Sequence, residues 1–73
     1  MVWEGDSIML SYMIIIYAEN KRTKRMFFKT DNLFIQLMRY KNVNTRTIEV
    51  YIYQKNNRDY VYKFTLFFDR GLE

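Results

Sequence analysis

The chain has 73 residues, with 12 Lys and Arg against 8 Asp and Glu and with no His, Cys or Pro. Without imidazole or thiol it has no Ser-His or Cys-His nucleophile, no disulfide framework and no ordinary zinc site, so it reads as a non-catalytic protein with no cofactor. A 49% hydrophobic and 19% aromatic composition separates it from disordered chains and points to one small domain over residues 1–73.

The first apolar stretch runs from Ile8 to Ala18. Glu4 and Asp6 stand before it where a secretory signal would carry basic residues, and its length is well short of the ~20 residues that cross a bilayer. The expectation is a cytoplasmic protein without a membrane partner. Both alternating sets of this stretch are largely apolar, as in a strand covered on both faces. Glu19 to Arg25 is polar and basic, and Met26, Phe27 and Phe28 resume the apolar run. The unit reads as a hairpin with a cationic tip, and Asn20 is the residue there that best tolerates left-handed geometry.

Thr30, Asp31 and Asn32 precede Leu33, Phe34, Leu37, Met38 and Tyr40, which recur at the spacing of one helix face. Asp31 in front and Arg39 and Lys41 behind complement the helix dipole, so Asn32 to Lys41 is expected to be a helix. Nearly every position between is apolar, and a strand there would instead give an all-β meander or small barrel.

The alternation is clearest in the last third. Ile48, Val50 and Ile52 alternate with Glu49, Tyr51 and Tyr53, a turn falls at Asn56 to Arg58, and Tyr62, Phe64 and Leu66 alternate with Val61, Lys63 and Thr65. Pairing Lys55 with Asp59 sets Ile52 opposite Tyr62, Val50 opposite Phe64 and Ile48 opposite Leu66, giving one wholly apolar face. The weak point is Arg58, at a loop position that favours Gly. The fold class is therefore α+β in the order ββαββ, one helix packed on a four-stranded antiparallel sheet. Its core is expected to hold Ile48, Val50, Ile52, Phe64, Leu66, Leu33 and Leu37.

Two features carry candidate function. Lys21, Arg22, Lys24 and Arg25 place four cations within five positions, the kind of projection that neutralises phosphates. Tyr51, Tyr53, Lys55 and Lys63 share the outer sheet face in that register, where rings between cations can stack bases. The sequence reading is a nucleic-acid-binding protein that uses the basic hairpin. The alternative is a homo-oligomeric interaction or inhibitor module, in which the tip is a solvated turn and the tyrosines are a protein contact. A homodimer is expected under either reading, because one helix leaves the second apolar face of the first strand without a cover and no disulfide or His- or Cys-based staple exists.

The remaining residues suggest no chemistry. Trp3, Phe67 and Phe68 read as closure of the core near the chain ends, and Tyr12, Tyr17, Tyr40 and Tyr60 show no pattern of their own. The carboxylates are spread along the chain without the clustering of a metal or acid–base site, and no glycine-rich phosphate loop or internal repeat is present. The wealth of Phe, Ile, Met, Asn, Lys and Tyr is what an A+T-rich coding sequence gives, which points to low-G+C bacteria, their phages or mobile elements.

Overall fold

The computed structural model describes residues 9–68, and Trp3, Ile8 and the terminal carboxylates lie outside them. Strands β1 (Leu10–Ala18) and β2 (Thr23–Thr30) are followed by helix α1 (Leu33–Tyr40) and strands β3 (Thr45–Gln54) and β4 (Asp59–Phe67). They form one sheet in the order β2-β1-β3-β4 with every neighbouring pair antiparallel. This is the expected α+β architecture, and the segment after Asn32 is helical. The strand with two apolar faces lies inside the sheet, where both of its edges are paired.

Short polar residues start the helix as the sequence indicates. The Asn32 side chain accepts from the Ile35 amide at 3.3 Å, and buried Thr30 accepts from the Asn32 amide at 3.0 Å. Leu37 alone on the helix is fully buried, in a cluster with Tyr12, Ile14, Ile16, Ile48 and Val50. Leu33, Ile52, Phe64 and Leu66 pack against that cluster, so the expected inner face is observed, with Phe68 added from the C-terminal side. Phe67, in contrast, is 76% exposed and closes no core.

Both hairpin tips differ from expectation. The first is shorter: Thr23, Lys24 and Arg25 belong to β2, and the turn spans Glu19 to Arg22. Lys21, at φ 69°, takes the left-handed conformation, while Asn20 uses its side-chain oxygen to accept from the Arg22 amide at 3.0 Å. In the second, Gln54 pairs with Asp59, so Lys55 lies in the turn. Arg58 there has φ 54°, at the position where Gly is favoured. A non-glycine residue in this region costs about 1–2 kcal/mol.

The β3–β4 register is as expected at Ile48–Leu66 and Val50–Phe64 and departs beyond them. A bulge at Lys63 moves the pairing to Tyr51–Tyr62, Ile52–Val61 and Tyr53–Tyr60. Ile52 thus lies opposite Val61, and Tyr62 leaves the inner face. A two-against-one bulge shifts every later pair by one residue, and a strand's side chains alternate between faces.

The core and the turn should respond in opposite directions in urea unfolding. Val50→Asp places an unpaired carboxylate at a fully buried position and is expected to unfold the domain, given a total stability of about 5 kcal/mol. Arg58→Gly relieves the left-handed strain and is expected to stabilise by about 1 kcal/mol.

Candidate nucleic-acid interface

The sheet face away from the helix carries the outward residues of every strand. The registers place Phe27 beside Met13, Met13 beside Tyr51 and Tyr51 beside Tyr62 across the four strands, with Tyr53 beside Tyr60 one step along. Phe27 and Tyr60 belong to opposite edge strands, which in a flat sheet lie about 14 Å apart. Their ring centroids are nonetheless 5.5 Å apart in an edge-to-face contact. The sheet therefore coils so that this face is concave, with Met13 between the two rings in the sheet. Tyr53 continues the contact onto Tyr60 at 5.3 Å, and Tyr51 meets Tyr62 at 5.7 Å.

The same coiling half-buries Met13, Ile15 and Tyr17, so the second face of β1 is partly covered within the chain. Phe27 and Tyr62 stay more than half exposed and Tyr53 is 38% exposed, which leaves ring faces open for stacking.

Among the described residues, one carboxylate lies within this face. Glu49 Oε1 accepts from the Tyr17 hydroxyl at 3.1 Å and from the Tyr51 hydroxyl at 3.0 Å. Both phenols have pKa values raised above the usual tyrosine value, first because each donates to Glu49, then through loss of solvation and the nearby negative charge. The Tyr62 hydroxyl shares a hydrogen bond with Thr65 at 2.7 Å. Hydroxyl contacts thus fix the orientation of Tyr17, Tyr51 and Tyr62.

The basic residues divide between the two faces. Arg25 pairs with Ile15 and Lys29 with Ser11, which sets both on the aromatic side. Lys24 pairs with inward-facing Ile16 and, with Arg22, lines a cleft on the helix side. Lys21 sits in the turn. The four tip cations are therefore not one surface. Of the second candidate set, Tyr51 and Tyr53 lie on the concave face, Lys55 is in the β3–β4 turn and Lys63 is the exposed bulge residue.

Sequence alternation sets Tyr62 on the inner face, gives Tyr60 no pattern and leaves Phe27 outside the expected site, whereas the structure brings all three to this face. Alternation through β2 marks Phe27 as outward once Phe28 is assigned inward, so that signal was available. The placement of Tyr60 and Tyr62 follows from the bulge, which the apolar pattern does not mark.

Among the described residues no group of three or more His, Cys, Asp or Glu can hold a metal ion, and no helix is long and apolar enough to cross a membrane. Comparison of the chain with family models, with curated proteins and with solved structures finds no match.

The Glu49 contacts give a pH dependence. A raised phenol pKa means that the folded state holds its proton more tightly than the unfolded chain. The stabilisation is therefore complete below about pH 10 and is lost as pH rises through the higher folded values. Absorbance titration of tyrosinate should show the Tyr17 and Tyr51 phenols ionising above the usual tyrosine value, coincident with loss of stability. Glu49→Gln should return them towards the usual tyrosine value.

Proposed function

We propose that this chain is a non-catalytic binding protein that holds single-stranded nucleic acid across the concave face of its sheet, with the basic β1–β2 hairpin at one side. The observation that carries the reading is the set of five rings, Phe27, Tyr51, Tyr53, Tyr60 and Tyr62, assembled from three strands on one face. Stacking on such rings is sequence-tolerant because every base has a π-face, and sheets with exposed aromatics bind splayed single strands in this way. Arg25 and Lys29 stand on the same face to meet phosphates, and Glu49, the one acid within it among the described residues, already accepts two hydrogen bonds. The net charge of +4 adds a general attraction to polyanions.

Fluorescence anisotropy at two salt concentrations tests this. Tyr53→Ala or Phe27→Ala should weaken binding to a single strand by about 1–3 kcal/mol per stacked base, with the salt slope unchanged. Arg25→Ser with Lys29→Ser should lower the magnitude of the slope of log affinity against log salt by about 1.4, at roughly 0.7 per contact. No binding to single-stranded or duplex oligonucleotides in 50 mM salt would remove the reading.

A second reading, self-association, draws on the helix. Phe34, Ile35 and Met38 are 59%, 52% and 53% exposed and form an apolar stripe one turn long. Asp31 precedes that stripe and Arg39 ends it. An antiparallel two-fold pairing centred on Ile35 would set the Asp31 of each copy against the Arg39 of the other and oppose the helix dipoles. The helix stripe, rather than the second face of β1, is then the surface a second copy covers. Sedimentation equilibrium should show a species near twice 9.1 kDa. Ile35→Glu should return it to the monomer without unfolding, and Arg39→Asp combined with Asp31→Arg should restore the pairing that either change alone weakens.

A further inference from the structure

On the helix side, between the β1–β2 tip and the Asn42–Thr45 turn, lies a cleft of about 380 Å³. Its walls have three kinds of surface. Ile16, Ala18 and Met26 form an apolar floor, with the Tyr40 ring at the helix end. Arg22 and Lys24 bring two exposed cations, and among the described residues no carboxylate lines the cleft. The third kind is amide: Asn20, Asn42 and Asn44 supply side-chain NH2 donors. Asn20 and Asn42 have their side-chain oxygens occupied, by the Arg22 amide at 3.0 Å and the Asn44 amide at 2.8 Å, so their NH2 groups are held in fixed directions.

The turn that closes the cleft is anchored to the hairpin that opens it. The Glu19 amide donates to the Asn44 carbonyl at 2.7 Å, and Arg46 donates to Glu19 at 3.3 Å. Buried Thr45 in turn accepts from the Asn42 amide at 3.0 Å. The walls thus hold their separation without a ligand, which lowers the ordering cost of binding.

We infer that this cleft binds a nucleoside monophosphate unit. Its volume is far greater than an inorganic anion needs and falls in the range of small-molecule sites. The two cations suit a phosphate: Arg22 through its fork of N–H donors and Lys24 as a point charge. An apolar floor with an aromatic ring at one end suits the flat face of a base, and the asparagine amides can read its edge. The unit has two sources, a free mononucleotide or the 5′-phosphorylated end of a strand. The site lies on the opposite side of the sheet from the five rings and does not depend on the reading of that face.

Titration of the isotope-labelled full chain, followed by amide NMR shifts, tests the inference. Adenosine and uridine monophosphates should move the amides of Ala18, Lys24 and Asn44 at concentrations about tenfold lower than inorganic phosphate or the bare nucleosides, because each half of the ligand uses a different wall. Arg22→Gln and Lys24→Gln should each weaken nucleotide binding about tenfold, while Tyr53→Ala leaves it unchanged. A short oligonucleotide with a 5′-phosphate identifies a strand end if it binds more tightly than both the mononucleotide and the same oligonucleotide with a 5′-hydroxyl. Equal binding of phosphorylated oligonucleotide and mononucleotide identifies the free nucleotide. Cleft amides unmoved by any of these at millimolar concentration, or shifts that persist in the Arg22→Gln, Lys24→Gln double variant, would overturn the inference. Loss of single-strand binding in Tyr53→Ala with the cleft shifts intact separates the two faces.

Discussion

A single row of apolar side chains, Met26, Ile14, Val50 and Phe64, crosses all four strands and sets the alignment of everything else. Ile14 and Val50 are fully buried, and Leu37 joins the same cluster from the helix. Because strand side chains alternate, fixing this row fixes the opposite face as well: the residues on either side of each member point outwards. Arg25 and Phe27 flank Met26, Met13 and Ile15 flank Ile14, and Glu49 and Tyr51 flank Val50. The composition of the concave face is in that sense a by-product of how the core aligns. A slip of one residue in any strand would exchange core and surface together.

How much of this can be read in the sequence depends on whether the apolar pattern is unambiguous at each place. Ile48 to Val50 against Phe64 to Leu66 offers one sensible register, and that register is observed. The capping residues before Leu33 announce the helix. Beyond Phe64 the pattern allows two solutions, because Val61 and Tyr62 can each face an apolar core. The bulge at Lys63 selects Val61 for the inner side and frees Tyr62 to meet Tyr51. Turns are also hard to read in a chain whose two glycines, Gly5 and Gly71, lie near its ends. The left-handed positions fall to Lys21, whose residue type gives no warning of that geometry, and to Arg58, which only its place in the loop marks. The candidate site was accordingly half legible: Tyr51 and Tyr53 follow from alternation, whereas their aromatic neighbours depend on coiling and on an irregular pair.

The cationic hairpin shows a related limit. Four basic residues close together in sequence look like one patch, yet a strand sends successive side chains to opposite sides. Arg25 goes with the rings and Lys24 with the cleft. Clustering along a chain becomes clustering in space only in a turn or a helix, and here the turn retains only Lys21 and Arg22. The short tip therefore distributes positive charge to both sides of a thin sheet, and two chemically different surfaces share the same hairpin.

The irregularity at Lys63 has a further effect, on the colloidal behaviour of the protein. An open sheet has two edges whose unpaired amides and carbonyls can template growth by other chains, and a composition rich in Tyr, Phe and Ile aggravates that hazard. The β2 edge is lined by Lys24, Arg25 and Lys29, whose like charges repel a second copy of the same strand. The β4 edge carries one lysine, and it stands where the ladder is broken. A bulge there twists the edge and interrupts the straight run of hydrogen-bonding groups that fibril extension requires. The same extra residue that brings two tyrosines together thus acts as a gatekeeper against edge-to-edge polymerisation.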